Sequence, residues 1–451
     1  MFPRHRHRYQ HQHQHQHRRL RAVFFVVFTV LFAGESIAQN SLPSAESTDP
    51  AVMGWMLGTP PDAAKLVRHD DLSFYQFPRT RWTFSHFREL LPTKRLWRGA
   101  GAGVPLVAMP DGAIDGVEFT PMGQSTVMSF GDMLTATYAD AALVLHKGDV
   151  VYENYFGATS RETPHISFSM TKSYYGTLAA MLVEEGQLEE DKLVRDYLPE
   201  LADSGFATAT VRQILDMTTA IDYSEDYTDP DAHVFDFARS GGIFPRGDYD
   251  GPEGFYAYVA TLKAKGKHGN AFSYRSVNTE VLGWLIARVT GSNAVDLLQE
   301  RIWSRLGAEE DAYILIDTLG TGWAAGGLNA TLRDHARFGE MMRKGGRWNG
   351  AQVVPEVVVD DIRRGGDREK FAKAGYTTLP GASYRNQWWV HHNPNGAFSA
   401  RGVHGQTIYI DPRAEMVIVR LASHPLAANG NYDDVSLPAY QAVADYLMAQ
   451  D

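Results

Sequence analysis

Two β-hairpin patterns, separated by about 250 residues, constrain the fold of this chain most strongly. ALVLHKGDVVYENYFG (residues 142–157) has two β-rich runs around a turn at 147–149, and TIYIDPRAEMVIVRLAS (407–423) turns at 411–413. Paired β-rich runs around a short polar turn are typical of hairpins. We therefore expect an α+β fold, in which one antiparallel sheet is built from the N- and C-terminal parts and flanked by helices.

Helical patterns occupy much of the chain between the two hairpins, and one follows the second hairpin. The first predicted helix begins at Ser169 and ends near Glu185, before Gly186, a residue type common just after helix ends. The other predicted helices are VRQILDM (211–217), TEVLGWLIARVTG (279–291), TLRDHARFGEMMRKGG (331–346) and LPAYQAVADYLMAQ (437–450). We therefore predict a mainly helical lobe, at about 185–370, inserted between the parts that build the sheet.

The first 38 residues have the order of a secretory signal. A basic stretch precedes the apolar run AVFFVVFTVLFA (22–33), and the small residues Ser36 and Ala38 follow. The apolar run is shorter than the roughly 20 residues of a membrane span. We therefore predict a signal peptide at 1–38, a periplasmic or secreted location, and no stable membrane insertion after cleavage. An uncleaved N-terminal anchor is the alternative.

Composition excludes several classes of function. The chain has no cysteine, which rules out disulfides, zinc–thiolate sites and cysteine nucleophiles. Loss of the signal segment would remove six arginines and one glutamate, and would change the formal net charge from −10 to −15. An acidic exported protein is a poor candidate for binding nucleic acid. We expect a small-molecule ester or amide as partner, and the oligomeric state stays open.

The remaining chain divides by pattern into two parts. Residues 39–124 begin with a loose, polar leader and continue with many aromatic residues that show no clear periodicity. We predict that they form an N-terminal extension wrapping the body of the protein. Residues 125–451 hold both hairpins and all the helical patterns, and form the predicted catalytic domain.

Ser169 and Lys172 are the first candidate catalytic pair. Residues three apart lie on one face of a helix, so the two side chains should be in contact. At a helix start, the backbone N–H of Ser169 would have no partner within the helix and could stabilise an oxyanion. A lysine buried beside small and apolar residues would have a lowered pKa and could accept a proton. The alternative is that the serine and the lysine merely share an exposed helix face.

Two further stretches carry candidate site residues. Tyr274 precedes a predicted helix in FSYRSVNTEVLGW, with Ser276 close by, and a nearby ammonium could depress the pKa of this tyrosine. In FSARGVHGQTIYID, two glycines bracket Val403 and His404 at the start of a predicted strand. Glycines in a strand permit a close approach of other backbone, and a free strand N–H could complete an oxyanion hole. A packed tyrosine and a curved strand are the structural alternatives.

In this order, the three stretches resemble the serine β-lactamase-fold hydrolases, which include penicillin-binding proteins, class C β-lactamases, esterases and D-amino-acid peptidases. The resemblance covers about residues 125–450. In detail, the chain resembles the 6-aminohexanoate-dimer (nylon-oligomer) hydrolase branch. The phrases that carry it are SMTKS, ILDMTTAIDYSEDYTDP, YRSVNTEVLGW, GGLNATLRDHARFG, RNQWW and VHGQTIYIDP.

The resemblance implies a role for each candidate. Ser169 would be the acylated nucleophile, Lys172 its adjacent base, and Tyr274 the general acid or base. The backbone N–H of Val403 would complete the oxyanion hole, beside His404. Two further positions would bind substrate or shape its pocket: Tyr227, matching a tyrosine that closes over the substrate, and Ser276, standing where the family has asparagine.

Departures from the family pattern bear on the substrate. The family's Lys-Thr-Gly box falls on residues 400–402, Ala-Arg-Gly, which removes the lysine that would hold a β-lactam carboxylate. Amide-selective members of the nylon-oligomer branch carry polar residues at two pocket positions that correspond to Ala238 and Ala325. These departures argue against an efficient β-lactamase and leave an ester or another small amide as the expected substrate.

The combined prediction is an exported serine hydrolase that works through an acyl-enzyme on Ser169 and needs no metal or cofactor. The alternatives are a β-lactamase or D-amino-acid peptidase, and a weakly catalytic protein that binds an acyl ligand on the same fold. If Lys172 and Tyr274 share one proton, activity should rise with pH into the neutral-to-alkaline range.

Overall fold

The computed structural model describes residues 42–450, and a compact unit begins at Pro43. The predicted signal peptide at 1–38 lies outside the described residues. The predicted extension, from Pro43 onward, and the predicted catalytic domain belong to this one unit, and the boundary between them at 124 stays a prediction. Within 42–450, no helix combines the length and apolar character needed to cross a membrane.

The strands are short outside the two predicted hairpins. They are β1 Thr93–Leu96, β2 Glu118–Phe119, β3 Met128–Ser129, β4 Ala139–His146, β5 Asp149–Tyr155, β6 His165–Ile166, β7 Ala312–Leu315, β8 Leu328–Ala330, β9 Arg347–Trp348, β10 Ala351–Gln352, β11 Ser383–Arg385, β12 Trp388–Val390, β13 Phe398–Gly402, β14 Gln406–Asp411 and β15 Met416–Ala422.

The helices vary from single turns to four turns. They are α1 Pro50–Met53, α2 Thr80–Thr83, α3 Phe130–Ala136, α4 Met170–Glu184, α5 Val194–Tyr197, α6 Val211–Leu215, α7 His233–Ser240, α8 Phe255–Thr261, α9 Val277–Thr290, α10 Ala294–Arg301, α11 Leu332–Arg343, α12 Glu356–Arg364, α13 Arg368–Ala372 and α14 Asp433–Met448.

The main sheet has seven antiparallel strands in the order β11-β12-β13-β14-β15-β4-β5. The hairpin β4–β5 turns at Lys147 and Gly148, which both have positive φ, as a two-residue hairpin turn of the favoured hand requires. Strand β15 pairs with β4 from Met416 opposite His146 to Ala422 opposite Ala139. The α+β prediction, with one sheet built from distant parts of the chain, is therefore confirmed.

A second sheet, which the sequence patterns did not predict, supports the start of α4. Its four strands lie in the order β1-β7-β8-β6, so the segment predicted to be mainly helical also contributes β7 and β8. Strand β6 ends at Ile166, three residues before Ser169. The pairing of β6 with β8 therefore anchors the backbone that leads to the candidate nucleophile.

Helix α4 lies at the centre of the protein. The predicted helix is confirmed, and every residue from Met170 to Leu182 is buried, so it is enclosed on all sides rather than along one stripe. Gly176 allows close contact with the β11–β12 turn, because a Cβ there would lie 2.1 Å from the carbonyl oxygen of Asn386. The other predicted helices are confirmed as α6, α9, α11 and α14.

Candidate active site

Ser169 and Lys172 are in direct contact at the start of α4. Ser169 occupies the position just before the helix, and the Nζ of Lys172 lies 2.8 Å from its Oγ. The same Nζ donates to the carbonyl oxygen of Ala325 at 2.6 Å. These two contacts aim the amine of Lys172 at the hydroxyl of Ser169.

Burial lowers the pKa of Lys172. Its side chain is almost fully buried, and loss of hydration lowers its pKa to about 8, against the opposing negative charges of Glu225 and Glu280. Burial disfavours the ammonium form because a charge is poorly solvated in the protein interior. With a pKa of about 8, roughly a tenth of Lys172 is the neutral amine at pH 7, far more than for an exposed lysine, and the neutral amine is the form that can accept a proton.

The residue before Ser169 has an unusual backbone conformation. Phe168 has a φ of 42°, in the left-handed region that bulky side chains rarely adopt. Its ring packs against Phe84 at 4.9 Å and Phe87 at 6.3 Å between ring centroids. Such strain persists only where the surrounding structure holds it, and it is concentrated at functional sites. The bend at Phe168 presents Ser169 at the head of α4.

The end of β13 approaches the backbone of Ser169 closely. A Cβ on Gly402 would lie 2.3 Å from the carbonyl oxygen of Ser167 and 3.1 Å from the backbone nitrogen of Ser169. Only glycine permits this approach, which places the end of β13, just before Val403, against the backbone of Ser167 and Ser169. Neither the N–H of Ser169 nor that of Val403 donates to another backbone group among residues 42–450. Two unpaired donors on converging backbones are the arrangement that stabilises an oxyanion.

His404 supports this arrangement from behind and does not line either pocket at Ser169. Its Nδ1 lies 2.7 Å from the carbonyl oxygen of His424, its Nε2 lies 3.4 Å from the hydroxyl of Tyr75, and its φ is 61°. Burial lowers the pKa of His404 to about 4, so it is neutral at physiological pH. Its ring packs against Phe168 at 5.6 Å, and a role for His404 at the oxyanion hole or in substrate binding stays a prediction.

Tyr274 lies on the other side of the pair. The Nζ of Lys172 is 5.3 Å from the centroid of its ring. Burial raises its pKa well above the usual value, with a further contribution from the negative charge of Glu225, and a hydrogen bond with Ser169 opposes the rise. The expectation of a depressed pKa is corrected, because burial of the phenolate outweighs the neighbouring positive charge. Tyr274 is therefore a phenol at neutral pH, able to donate a proton.

Tyr227 and Ser276 converge on Glu225, which the sequence analysis missed. The hydroxyls of Tyr227 and Ser276 donate to Oε1 of Glu225 at 2.8 and 2.6 Å, and the backbone N–H of Ser276 donates to Oε2 at 2.7 Å. This carboxylate ties the loop before α7 to the start of α9. In the sequence, the only indication of this role was that the acidic Glu225 lies two positions before Tyr227.

Two pockets meet at Ser169, Tyr227 and Val403. The first, of about 60 Å³, has mainly apolar walls and includes both Ala238 and Ala325. The aromatic part of its wall comes partly from the N-terminal region and partly from α7 and the loop after it, with Phe74, Tyr75, Phe87, Phe235, Phe237 and Phe244. The second pocket, of about 220 Å³, has a mixed wall that includes the polar side chains of Glu225, Tyr274 and Arg401, and we call it the polar pocket.

Two charged residues of this region were not identified as site residues from sequence. In the sequence, Arg401 was noted only because it follows Ala400, the position where the family has a lysine. In the structure, Arg401 lies on β13 and lines the polar pocket. Glu280 is fully buried within α9, and burial raises its pKa to about 8. Oε1 of Glu280 accepts a hydrogen bond from the N–H of Ala325 at 2.8 Å. The carbonyl oxygen of the same Ala325 accepts a hydrogen bond from Nζ of Lys172. An acidic residue inside an apolar helix pattern was the signal for Glu280.

Comparison with known proteins identifies similar chains. Residues 133–437 match the family described as Beta-lactamase. A 6-aminohexanoate-dimer hydrolase of Paenarthrobacter ureafaciens is 38% identical over 354 residues, which are 78% of this chain and 88% of that protein. Among solved structures, a Bacillus anthracis protein assigned as a 6-aminohexanoate-dimer hydrolase is 30% identical, with a TM-score of 0.77 over 86% of this chain and 99% of that one.

A more distant structure shows the fold alone. A family VIII carboxylesterase is 17% identical, with a TM-score of 0.51 over 69% of this chain and 96% of that one.

Proposed function

This chain belongs to the Beta-lactamase family, and from that premise we propose that it hydrolyses a carboxylic ester or small amide through an acyl-enzyme on Ser169. The observation that carries the proposal is the 2.8 Å contact between the Nζ of a buried Lys172 and the Oγ of Ser169. The backbone N–H groups of Ser169 and Val403, which face no other backbone acceptor, support it.

The proposed reaction has two stages. Lys172 accepts the hydroxyl proton as the Oγ of Ser169 bonds to the substrate carbonyl carbon, and the two backbone N–H groups stabilise the oxyanion. The bond to the leaving oxygen or nitrogen then breaks, and Tyr274 supplies its proton. In the second stage, a water molecule attacks the acyl-serine and gives a proton to the phenolate of Tyr274, while the ammonium of Lys172 returns its proton to the Oγ of Ser169. The carboxylic acid is released, and Ser169, Lys172 and Tyr274 regain their starting protonation.

The apolar pocket favours an uncharged, short acyl group. The relatives are named for hydrolysis of 6-aminohexanoate dimers, whose acyl part carries an amine. Here Ala238 and Ala325 lie in the pocket wall among aromatic residues, and none of the residues lining it is a carboxylate. Burial of an ammonium without a partner is costly. We therefore place an ester or small amide of a short aliphatic acid ahead of the 6-aminohexanoate amide.

Covalent labelling tests the nucleophile. A fluorophosphonate probe should modify one peptide, the one containing Ser169, because among residues 42–450 this hydroxyl has a buried amine, that of Lys172, within 2.8 Å. Mass spectrometry of the digested protein locates the label. Labelling at another serine, or none while p-nitrophenyl butanoate is still hydrolysed, would contradict the assignment.

We also propose that residues 1–38 direct export, so that the enzyme acts in the periplasm or outside the cell. The support is the order of basic, apolar and small residues in the sequence. N-terminal sequencing of the mature protein should begin at Gln39. A mature chain that retains the apolar run at 22–33 would favour the anchor alternative.

A further inference from the structure

Arg401 places a buried cation in the polar pocket. Its side chain is only 6% exposed, and its guanidinium lies 5.3 Å from the centroid of the Trp389 ring. Arg401 lines the same pocket as Ser169 and Tyr274. Because a buried arginine is costly unless its donors are used, its partners indicate what the pocket is built to bind.

The protein uses only part of the hydrogen-bonding capacity of Arg401. Its Nη2 donates to Oδ1 of Asp433, and the hydroxyl of Thr378 donates to the other oxygen of that carboxylate at 3.0 Å. Within residues 42–450, its Nε and Nη1 have no acceptor, and neither is among the buried atoms sealed from solvent. Asp433 therefore holds the guanidinium in place and leaves the remaining donors available to a ligand. Guanidinium donors match a carboxylate in geometry and charge.

Other hydrogen-bond donors line the same pocket as this cation. Asn429 and Tyr376 line it beside Arg401, and no described residue accepts a hydrogen bond from the hydroxyl of Tyr376 or the amide nitrogen of Asn429. Glu225 also lines the pocket, but both its oxygens already accept hydrogen bonds, from Tyr227 and Ser276. The donors that remain open in this pocket are therefore grouped with Arg401.

The position of Tyr274 determines which part of the substrate enters this pocket. Tyr274 lines the polar pocket and is not part of the apolar one. A group that donates a proton to the departing oxygen or nitrogen must adjoin it. The leaving group therefore occupies the polar pocket, while the acyl group occupies the apolar pocket on the other side of Ser169.

We propose that Arg401, with Asn429 and Tyr376, forms a carboxylate subsite for the leaving group. The preferred substrates are then esters or amides of short apolar acids whose alcohol or amine part carries a carboxylate, such as N-acyl amino acids. This inference rests on the proposed acyl-enzyme reaction and adds the chemical class of the substrate. The carboxylate takes no part in bond breaking and leaves with the amino or hydroxy acid product.

Two aryl butanoates that differ only in one substituent test this subsite. 3-Carboxyphenyl butanoate carries the anion, and 3-carbamoylphenyl butanoate is its neutral counterpart. In the wild type, kcat/KM should favour the carboxylate ester by at least about tenfold, the effect expected of one hydrogen-bonded ion pair. The readout is this ratio, because damage to the fold lowers both rates together.

The variant Arg401→Gln/Asp433→Asn should bring the ratio to about one. The second substitution avoids leaving a buried carboxylate without its partner. Arg401→Lys, which keeps the charge but loses the planar fork, should give an intermediate ratio and serves if the double variant does not fold. The matched control is Arg288→Gln/Glu200→Gln, which removes an exposed ion pair distant in sequence from β13 and should keep the wild-type ratio.

The outcomes separate this inference from the reaction on which it rests. A wild-type ratio near one, or an unchanged ratio in both Arg401 variants, overturns the carboxylate subsite. If Ser169 is still labelled in that case, the proposed acyl-enzyme stands by itself. If the label is found elsewhere, both proposals fail.

Discussion

Substitution of Ser169 by alanine should lower kcat for p-nitrophenyl butanoate by about 10⁵- to 10⁶-fold, the scale seen when a serine nucleophile is removed. Lys172 would then have no hydroxyl to deprotonate, and the oxyanion donors alone supply only a small part of the rate. Steady-state kinetics at substrate concentrations above KM measure the effect. The loss should be accompanied by loss of fluorophosphonate labelling.

Ser173→Ala is the matched control for this substitution. Ser173 lies on the same helix, is equally buried, and donates to the carbonyl oxygen of Gln387 at 2.8 Å. Its removal costs about 1 kcal/mol of the free energy of unfolding, the usual value for one hydrogen bond, but should leave the labelling of Ser169 intact. If Ser169→Ala kept more than about a hundredth of the activity, the acyl-enzyme proposal would be wrong.

Substitution of Lys172 by methionine should lower kcat/KM by about 10²- to 10⁴-fold, the contribution typical of a positioned general base. Methionine has a similar length and suits the apolar surroundings of α4, so the helix should remain packed. In the wild type, kcat/KM should rise with pH and level off above about 8, since the neutral amine is the reactive form and burial lowers the pKa of Lys172 to about 8. The variant should lack this rise.

Two further variants identify the group responsible for the pH dependence. The pKa of Glu280 is also raised to about 8, so its titration overlaps that of Lys172. Glu280→Gln should retain the rise and move it to lower pH, because the negative charge of Glu280 raises the pKa of Lys172. Lys265→Met, at an exposed lysine, should leave the profile unchanged. A flat wild-type profile from pH 5 to 9 would exclude Lys172 as the titrating base.

Local sequence patterns predicted those parts of the fold whose stability depends on nearby residues. The hairpin β4–β5 and helix α4 are examples, since turn residues and helix-ending residues act within a few positions. The second sheet was not predictable in this way. Strands β6 and β8 have two and three residues, too few to show a periodicity, and they are strands only because their partners lie beside them.

In the candidate site, too, some features were predictable from local sequence and others depended on distant segments. The spacing of Ser169 and Lys172 predicted their contact, because helix geometry brings residues three apart together. A nearby ammonium could have depressed the pKa of Tyr274, but burial by residues that are distant in sequence raises it instead. The surroundings of His404, which adjoins Val403 in sequence, also depend on distant segments, since its side chain contacts Tyr75 and His424.

The sequence by itself determined the α+β class, the helix that follows Ser169 and the contact of Ser169 with Lys172, because the hairpin and helix patterns behind them are local. The tertiary structure alone decided three further properties. It buried Lys172, brought Gly402 against the backbone of Ser169, and placed Arg401 in the same pocket as Tyr274. Each of these depends on contacts between segments more than 100 residues apart, and burial and close approach are properties of packed segments rather than of local sequence.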